Sequence, residues 1–404
     1  PYTTLFRSAF TGTASTGGTG AYTYNWFSCA GGSCPTPTTG NSSPGVGWTD
    51  RGANTTGFTE TNNLTQTTTY VRRTTTGSCV YWSNIITINI TEVPALAMSS
   101  NVDPTICTGT SINLTASGAT SYVWSPGTSL SSTTTAATTA SPTANITYNV
   151  VGTANGCSAA TAPTNGLLAW YPLDEDADDV IGGVNGTVTS ATLANAQILK
   201  GYNFTAGTNK ITVPHNAALS SAIFGTSNNF TISAWVYPTA WTNYSSIVTK
   251  ANGGSWSNTT AGIWSVANGL VAVMGANVGG NPAGSYISVT YKPTLNEWHH
   301  VIAIADGTNL NLYVDGILRG QSAISGITAT RSENTAPITI GGGRVNNQTA
   351  EYFPGIIDDV KMYNRGLSEA EMRNLYRSPS VRVRVTPTAN AGTVTAGTTP
   401  QCIG

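Results

Sequence analysis

Charge is what this sequence has least of. Of 404 residues, 17 are basic and 18 acidic, 9% in all, against roughly a quarter in an average soluble protein. A net charge of −1 leaves no basic field to attract nucleic acid or an anionic membrane surface. Long apolar runs are missing too. No stretch approaches the ~20 residues of a membrane-spanning helix, which speaks against direct membrane insertion of this stretch. There are three histidines, too few for an evident histidine metal centre; His299 and His300 adjoin Trp298 and read as structural. No G-x-S-x-G elbow, Ser/His/Asp set or E-x-D-x-E run of alternating acids is found, so the expectation is a protein that is not an enzyme.

What is abundant is Thr, Ser, Gly, Asn and Val, evenly spread. That composition suits many half-buried strands whose outer faces carry hydroxyls instead of charges, with disorder of the Thr-rich stretches as the alternative. The chain starts at Pro1 and stops at "PQCIG", which reads as a piece of a longer protein. The opening "PYTTLFRS" fits nothing downstream and is set aside.

Two stretches near the N-terminus match. "GAYTYNW" ends at Trp26 and "GATSYVW" at Trp124, with Gly, Ala, Tyr and Trp at equal spacing. In "TTTYVRRTTTGSC" and "NITYNVVGTANGC" the Tyr precedes the Cys (Cys79, Cys157) by nine positions. Period-2 strands between Gly/Pro/Ser turns predict small β-sandwiches over 8–92 and 93–162. They resemble the Ig-like repeats of large bacterial surface proteins, which implies a secreted or cell-surface location. Cys107 and Cys157 bracket the second repeat and could close it with a disulfide, while Cys29 and Cys34 flank "AGGS" and could staple a loop. Cys79 and Cys402 would find partners outside the stretch; six free thiols are the alternative.

The first repeat runs on past Cys79 into "NIITINITEVPALA", but no such strand follows Cys157. A matching one, "SVRVRVTPTANA", comes only after residue 378. Two orders are open. Either 163–378 is inserted before the last strand (380–386) of the second repeat, or "VRVRV" opens the next repeat in tandem; 387–404 starts a further repeat in either case.

Over 163–378 the pattern is all β, with ten or more short strands and no helix before Ser368. "GLLAWYPLD", "FTISAWVYP", "EWHHV", "LYVDG" and "GIIDDVKMYNRGLSEAEMRNLY", in this order, resemble the laminin-G-like branch of the concanavalin-A-like jelly rolls. The resemblance implies a two-sheet sandwich serving as a recognition module, often with Ca²⁺. The last of these stretches, 355–376, holds seven of the charged residues. It reads as a closing strand, then a helix capped by Ser368 with Glu371 completing a capping box. Met372 and Leu375 face the sandwich while Glu369, Arg373 and Asn374 stay solvated, so that the helix closes one end of the domain.

Two sites are expected. In the resembling family the first acidic loop and the "IDD" step lie near each other, so Asp178 or Asp179, with Asp358 or Asp359, could hold Ca²⁺ as hard oxygen ligands. A solvated loop and a salt bridge to Lys361 or Arg365 is the alternative. Adjacent in a strand, Asp358 and Asp359 should point to opposite faces. The second site is for glycan: Trp241, Tyr244, Trp256 and Tyr286 offer flat faces for a sugar, and Arg344 and Asn346 offer polar partners. The function expected is an extracellular recognition or adhesion module for carbohydrate or a surface protein, with Ig-like spacers. A structural stalk and an accessory region of a glycoside hydrolase are the alternatives.

Overall fold

The structure is a computed structural model. It describes residues 9–16, 21–31, 34–60, 67–88, 96–101, 104–154, 157–158, 161–205, 207–225, 228–242, 245–251, 259–275, 286–326, 335–342 and 352–387. Among them are strands and two α-helices, with no helix long and apolar enough to cross a membrane.

The first repeat contains β1 (Ala9–Phe10), β2 (Thr23–Ala30), β3 (Thr49–Asp50), β4 (Phe58–Thr59), β5 (Thr68–Thr76), β6 (Cys79–Trp82) and β7 (Ile86–Ile88). One sheet runs β3-β2-β5-β6, with β7 also on β5, and β1 pairs with β4. Phe10, Trp26, Phe58 and Tyr70 pack their rings together between them. The loop stapled by the Cys29–Cys34 disulfide leads into a segment that lies on the other face, where the indole of Trp82 donates to the carbonyls of Thr38 and Asn41.

The second repeat holds β8 (Ala97–Ser100), β9 (Thr105–Cys107), β10 (Ile112–Ser117), β11 (Ser121–Ser125), β12 (Ala137–Ala140), β13 (Ile146–Ala154) and β14 (Cys157–Ser158). The two repeats share one register. Trp26 lies opposite Arg72 and Trp124 opposite Val150, each two residues past the matching Tyr. Each indole N–H donates to a backbone carbonyl of the following segment, Thr55 or Thr135.

The expected Cys107–Cys157 disulfide is not formed: Cys107 is a free, exposed thiol. Cys157 pairs with Ala154 at the far end of β13, whereas Cys107 lies beyond the opposite end. Eight residues of strand put the two on the order of 25 Å apart, and a disulfide needs Cα atoms within about 7 Å.

Between 163 and 378 lie β15 (Leu167–Tyr171), β16 (Thr187–Thr189), β17 (Thr192–Asn195), β18 (Lys200–Phe204), β19 (Lys210–Val213), α1 (Ala217–Phe224), β20 (Asn229–Pro238), β21 (Ser245–Ala251), β22 (Thr259–Val266), β23 (Gly269–Gly275), β24 (Tyr286–Tyr291), β25 (His299–Asp306), β26 (Asn309–Val314), β27 (Ile317–Ala323), β28 (Ile338–Ile340), β29 (Gly355–Tyr363) and α2 (Glu369–Arg377). They build two antiparallel sheets. The eight-stranded one runs β17-β18-β29-β20-β25-β26-β27 with β15 on β29, and the seven-stranded one runs β16-β19-β28-β21-β22-β23-β24. Phe204, Phe230, Phe353, Leu312, Ile340 and Met362 are among the fully buried residues between them. α1 corrects the expectation of no helix before Ser368. Its eight residues follow the N-cap Asn216, whose side chain accepts from the Leu219 N–H, and bury Leu219, Ile223 and Phe224.

After α2 comes β30 (Ser380–Thr386), which pairs antiparallel with β13 (Ile146↔Val383) and parallel with β9 (Arg384↔Thr105). The strands on either side of 163–378 in sequence thus share one sheet, β11-β13-β30-β9, packed over β12-β10-β8.

Candidate functional site

The outer face of the eight-stranded sheet is covered by α2. Ser368 caps the helix and accepts from the Glu371 N–H, while Glu371 accepts from the Ser368 N–H at 2.9 Å. Arg365 holds the same carboxylate with two hydrogen bonds, at 2.6 and 2.9 Å, and with Ser368 keeps it down at about 2. Met372 and Leu375 bury against Ile302, Ile304 and Tyr363, so the helix lies across the sheet instead of closing an end. Arg373 is buried rather than solvated, pairing with Glu369 at 2.5 Å.

The middle of that outer face meets the second repeat, while the edge strand β27 stays largely exposed. Ile198, Leu199 and Trp235 join Leu96, Met98 and Ile106 in one apolar cluster, with Trp298 and Tyr376 against it. The rings of Trp235, His300 and Tyr376 pack within 4.9–5.7 Å of one another. His300 has no hydrogen-bond partner at Nδ1; burial, with the Lys361 ammonium nearby, drives its imidazole down to about 3.

Beneath this junction lie the acids. Strand β29 carries a β-bulge where Trp235 pairs with Asp358 and Ser233 with Lys361, and Asp359 sits there at φ +50°. The bulge turns Asp358 and Asp359 to the same buried side, not to opposite faces. Asp359 accepts from the Trp170 indole at 2.6 Å and pairs with Lys361. Asp358 accepts from the Ile198 N–H at 2.9 Å with one oxygen and has no partner for the other. Burial, then Asp359 and Asp174, push Asp358 well above the usual carboxylate range; burial does the same to Asp174.

Asp179 accepts from the N–H groups of Trp170, Ile181 and Val184. Asp178 pairs with Arg384 at 3.0 Å. Among the described residues no group of three or more His, Cys, Asp or Glu is placed to hold a metal ion. Asp178, Asp179 and Asp359 are thus each satisfied by protein donors, and the set as arranged does not fit a Ca²⁺ cage.

The seven-stranded sheet has its own second face. Trp264, Val271 and Val273 lie there, on the side away from Ile263 and Ala272. Beside Trp264, its cross-strand neighbour Ser246 joins Thr249 and Thr339 in a hydroxyl row with oxygens 2.6–3.2 Å apart. All four residues are at most 3% exposed. The row escaped sequence reasoning because Ser and Thr are everywhere in this chain; the cue was Trp264 out of step with the inward positions Ile263 and Ser265.

Of the expected glycan residues, Trp241 is partly buried against the core and its indole donates to the Pro293 carbonyl at 3.3 Å. Tyr244, Trp256, Arg344 and Asn346 lie outside the described residues, as does the side chain of Tyr286. By position all five begin or connect strands of the seven-stranded sheet, or lead from it.

Residues 205–373 match the family model of the concanavalin A-like lectin/glucanases superfamily. No curated protein matches in sequence. Among solved structures, domain 4 of an extracellular arabinanase from Geobacillus stearothermophilus, in complex with arabinotriose, is 18% identical, with 52% of this chain and 98% of that chain covered and a TM-score of 0.38. The binding domain of Paraclostridial Mosquitocidal Protein 1 is 20% identical, covers 52% of both chains and has a TM-score of 0.41. A Trypanosoma rangeli sialidase is 20% identical over 55% of this chain and 34% of that one, also at 0.41. This chain thus spans nearly all of the arabinanase domain, half of the mosquitocidal domain and a third of the sialidase. The segment at 205–373 thus matches the concanavalin A-like family, and the nearly all-β, two-sheet sandwich it helps build is consistent with that fold.

Proposed function

We propose that the jelly roll is an extracellular recognition module that binds carbohydrate on the side of its seven-stranded sheet, with the flanking repeats as Ig-like spacers. One observation carries this: α2 and the second repeat cover the middle of the outer face of the eight-stranded sheet. With the second face of the seven-stranded sheet itself filled at Trp264, a ligand is left the connections at the rim of that sheet. Those connections hold Tyr244, Trp256, Arg344 and Asn346, with Tyr286 opening β24. Aromatic faces stack on the CH-rich side of a sugar, and amide and guanidinium groups pair with its hydroxyls. Glucanase chemistry is disfavoured, because Asp358 and Asp359 are buried under the second repeat and do not face a groove.

The test is a glycan array on the full chain, with Tyr244→Ala and Trp256→Ala as controls. Binding to one oligosaccharide class, lost in both variants, is expected. Uniformly absent binding would favour a structural stalk, a role to which the filled second face at Trp264 also lends itself.

A further inference from the structure

The acidic loop after β15 finds no ligand role, yet its contacts are specific. Arg384 of β30 and Thr105 of β9 face each other in the parallel pair. The loop grips both of them. Glu175 accepts from the Thr105 N–H at 2.9 Å and from its hydroxyl. Asp176 and Asp178 both bind the Arg384 guanidinium, the latter at 3.0 Å. The strands themselves are joined by Arg384 N–H to the Pro104 carbonyl and Thr108 N–H to the Thr386 carbonyl, both 2.9 Å. Next to this contact Arg382 donates to the Val180 carbonyl at 3.1 Å.

We propose that β9 and β30 form a load-bearing clamp, strapped by the acidic loop Glu175–Asp178, that shields the jelly roll from tension applied between the two ends of the chain. The topology carries the inference. Tension from the N-terminal side crosses β8, where Met98 bonds the backbone of Gln197 and Leu199, and is then taken up at Thr105 before it reaches either covalent connection to 163–378. Tension from the C-terminal side reaches Thr386 first. Everything from 108 to 383 is a loop closed by the clamp, and both covalent connections to 163–378 lie inside it. Because β9 and β30 run parallel, pulling one at its start and the other at its end slides them along each other. Their bonds then bear load together, whereas a peeled pair breaks one bond at a time. Charge-assisted bonds from Arg384 add resistance along that axis. The clamp is independent of what the jelly roll binds.

The test is single-molecule stretching of the full chain, held at its two ends. Unfolding of 163–378 releases about 70 nm, while the second repeat alone releases about 25 nm. The first repeat releases a similar length, about 28 nm, so the expected order puts the ~70 nm step after both short steps in every trace. Arg384→Gln should move the second repeat's ~25 nm step to lower force, as should Glu175→Gln, with the near-ultraviolet spectrum unchanged. If either variant fails to fold, 1 M salt on the unaltered chain, which screens the same pairs, should lower the force of that step. A ~70 nm step that precedes either short step overturns the shielding, and an unchanged force in folded variants and in salt overturns the strap.

Discussion

Lys361 and Asp359 form an ion pair with both side chains 4% exposed, and the ammonium lies 4.9 Å from the Trp170 ring centroid. The pair is enclosed under the junction between the jelly roll and the second repeat, where removing one partner leaves an uncompensated charge. Lys361→Met is expected to destabilise by about 3–5 kcal/mol, as breaking buried pairs does. Replacing both residues, with Asp359→Asn added, should recover much of that loss, because Asn tolerates the left-handed backbone at 359 and its amide oxygen can still accept from the Trp170 indole. Urea unfolding of the two variants checks this; equal losses would mean the packing, not the orphaned carboxylate, matters.

Opposed pH trends should meet at the same junction. The folded state holds His300 down near 3, against an ordinary 6.5, by burial and then by Lys361. Its stability is therefore full above 6.5 and falls as pH drops toward 3. Asp358 and Asp174 are held high, so the folded state favours their neutral form. What they contribute is full below the ordinary carboxylate value and is lost as pH rises through their raised values. Asp358→Asn should accordingly be more stable than the parent at pH 8, with the difference shrinking toward pH 4. Unfolding midpoints across pH 4–9 decide it, and a pH-independent offset would sink the assignment.

Much of this arrangement is readable from residue spacing. The equal distances between Tyr and Trp, and between Tyr and Cys, correspond to one shared register, since a ladder conserves spacing. The alternating "SVRVRV" after the jelly roll has the pattern of the strand missing after Cys157, and β30 pairs beside β13. Other features depend on contacts that no local pattern encodes. The bulge at Asp358–Asp359 arises from a mismatch with β20, so adjacent acids that should diverge share one buried side. Cys107 and Cys157 bracket their repeat in sequence, but flanking positions in sequence can be opposite ends of a sheet. The burial of Trp235 reflects the second repeat, 100 or more residues away, which periodicity cannot register.

The cap of α2 can be tested alone. Ser368 closes the first turn, and Glu371 joins it to Arg365. Ser368→Ala should cost about 1 kcal/mol, the usual value for a lost N-cap. Since the helix covers Ile302 and Ile304, an exposed apolar patch should accompany any fraying, so dye binding and the urea midpoint should change together. A lower midpoint with no added dye binding would place the damage elsewhere.

Calcium gives the last test. The sequence reading expects an ion between the first loop of the jelly roll and its final strand, both of them acidic. Yet Asp179 is satisfied by three backbone N–H groups, Asp178 by Arg384 and Asp359 by Lys361 and Trp170. An ion could enter only by displacing these donors, and the two guanidinium and ammonium charges would oppose it. Millimolar Ca²⁺ should leave the melting temperature unmoved, as should chelation of a freshly purified sample. Saturation of a weak extracellular site at about 100 times its Kd would add roughly 2.7 kcal/mol, a shift of several degrees. A rise of that size, abolished by Asp179→Asn, would mean that the loop rearranges around the ion and that the donors seen here belong only to the metal-free fold.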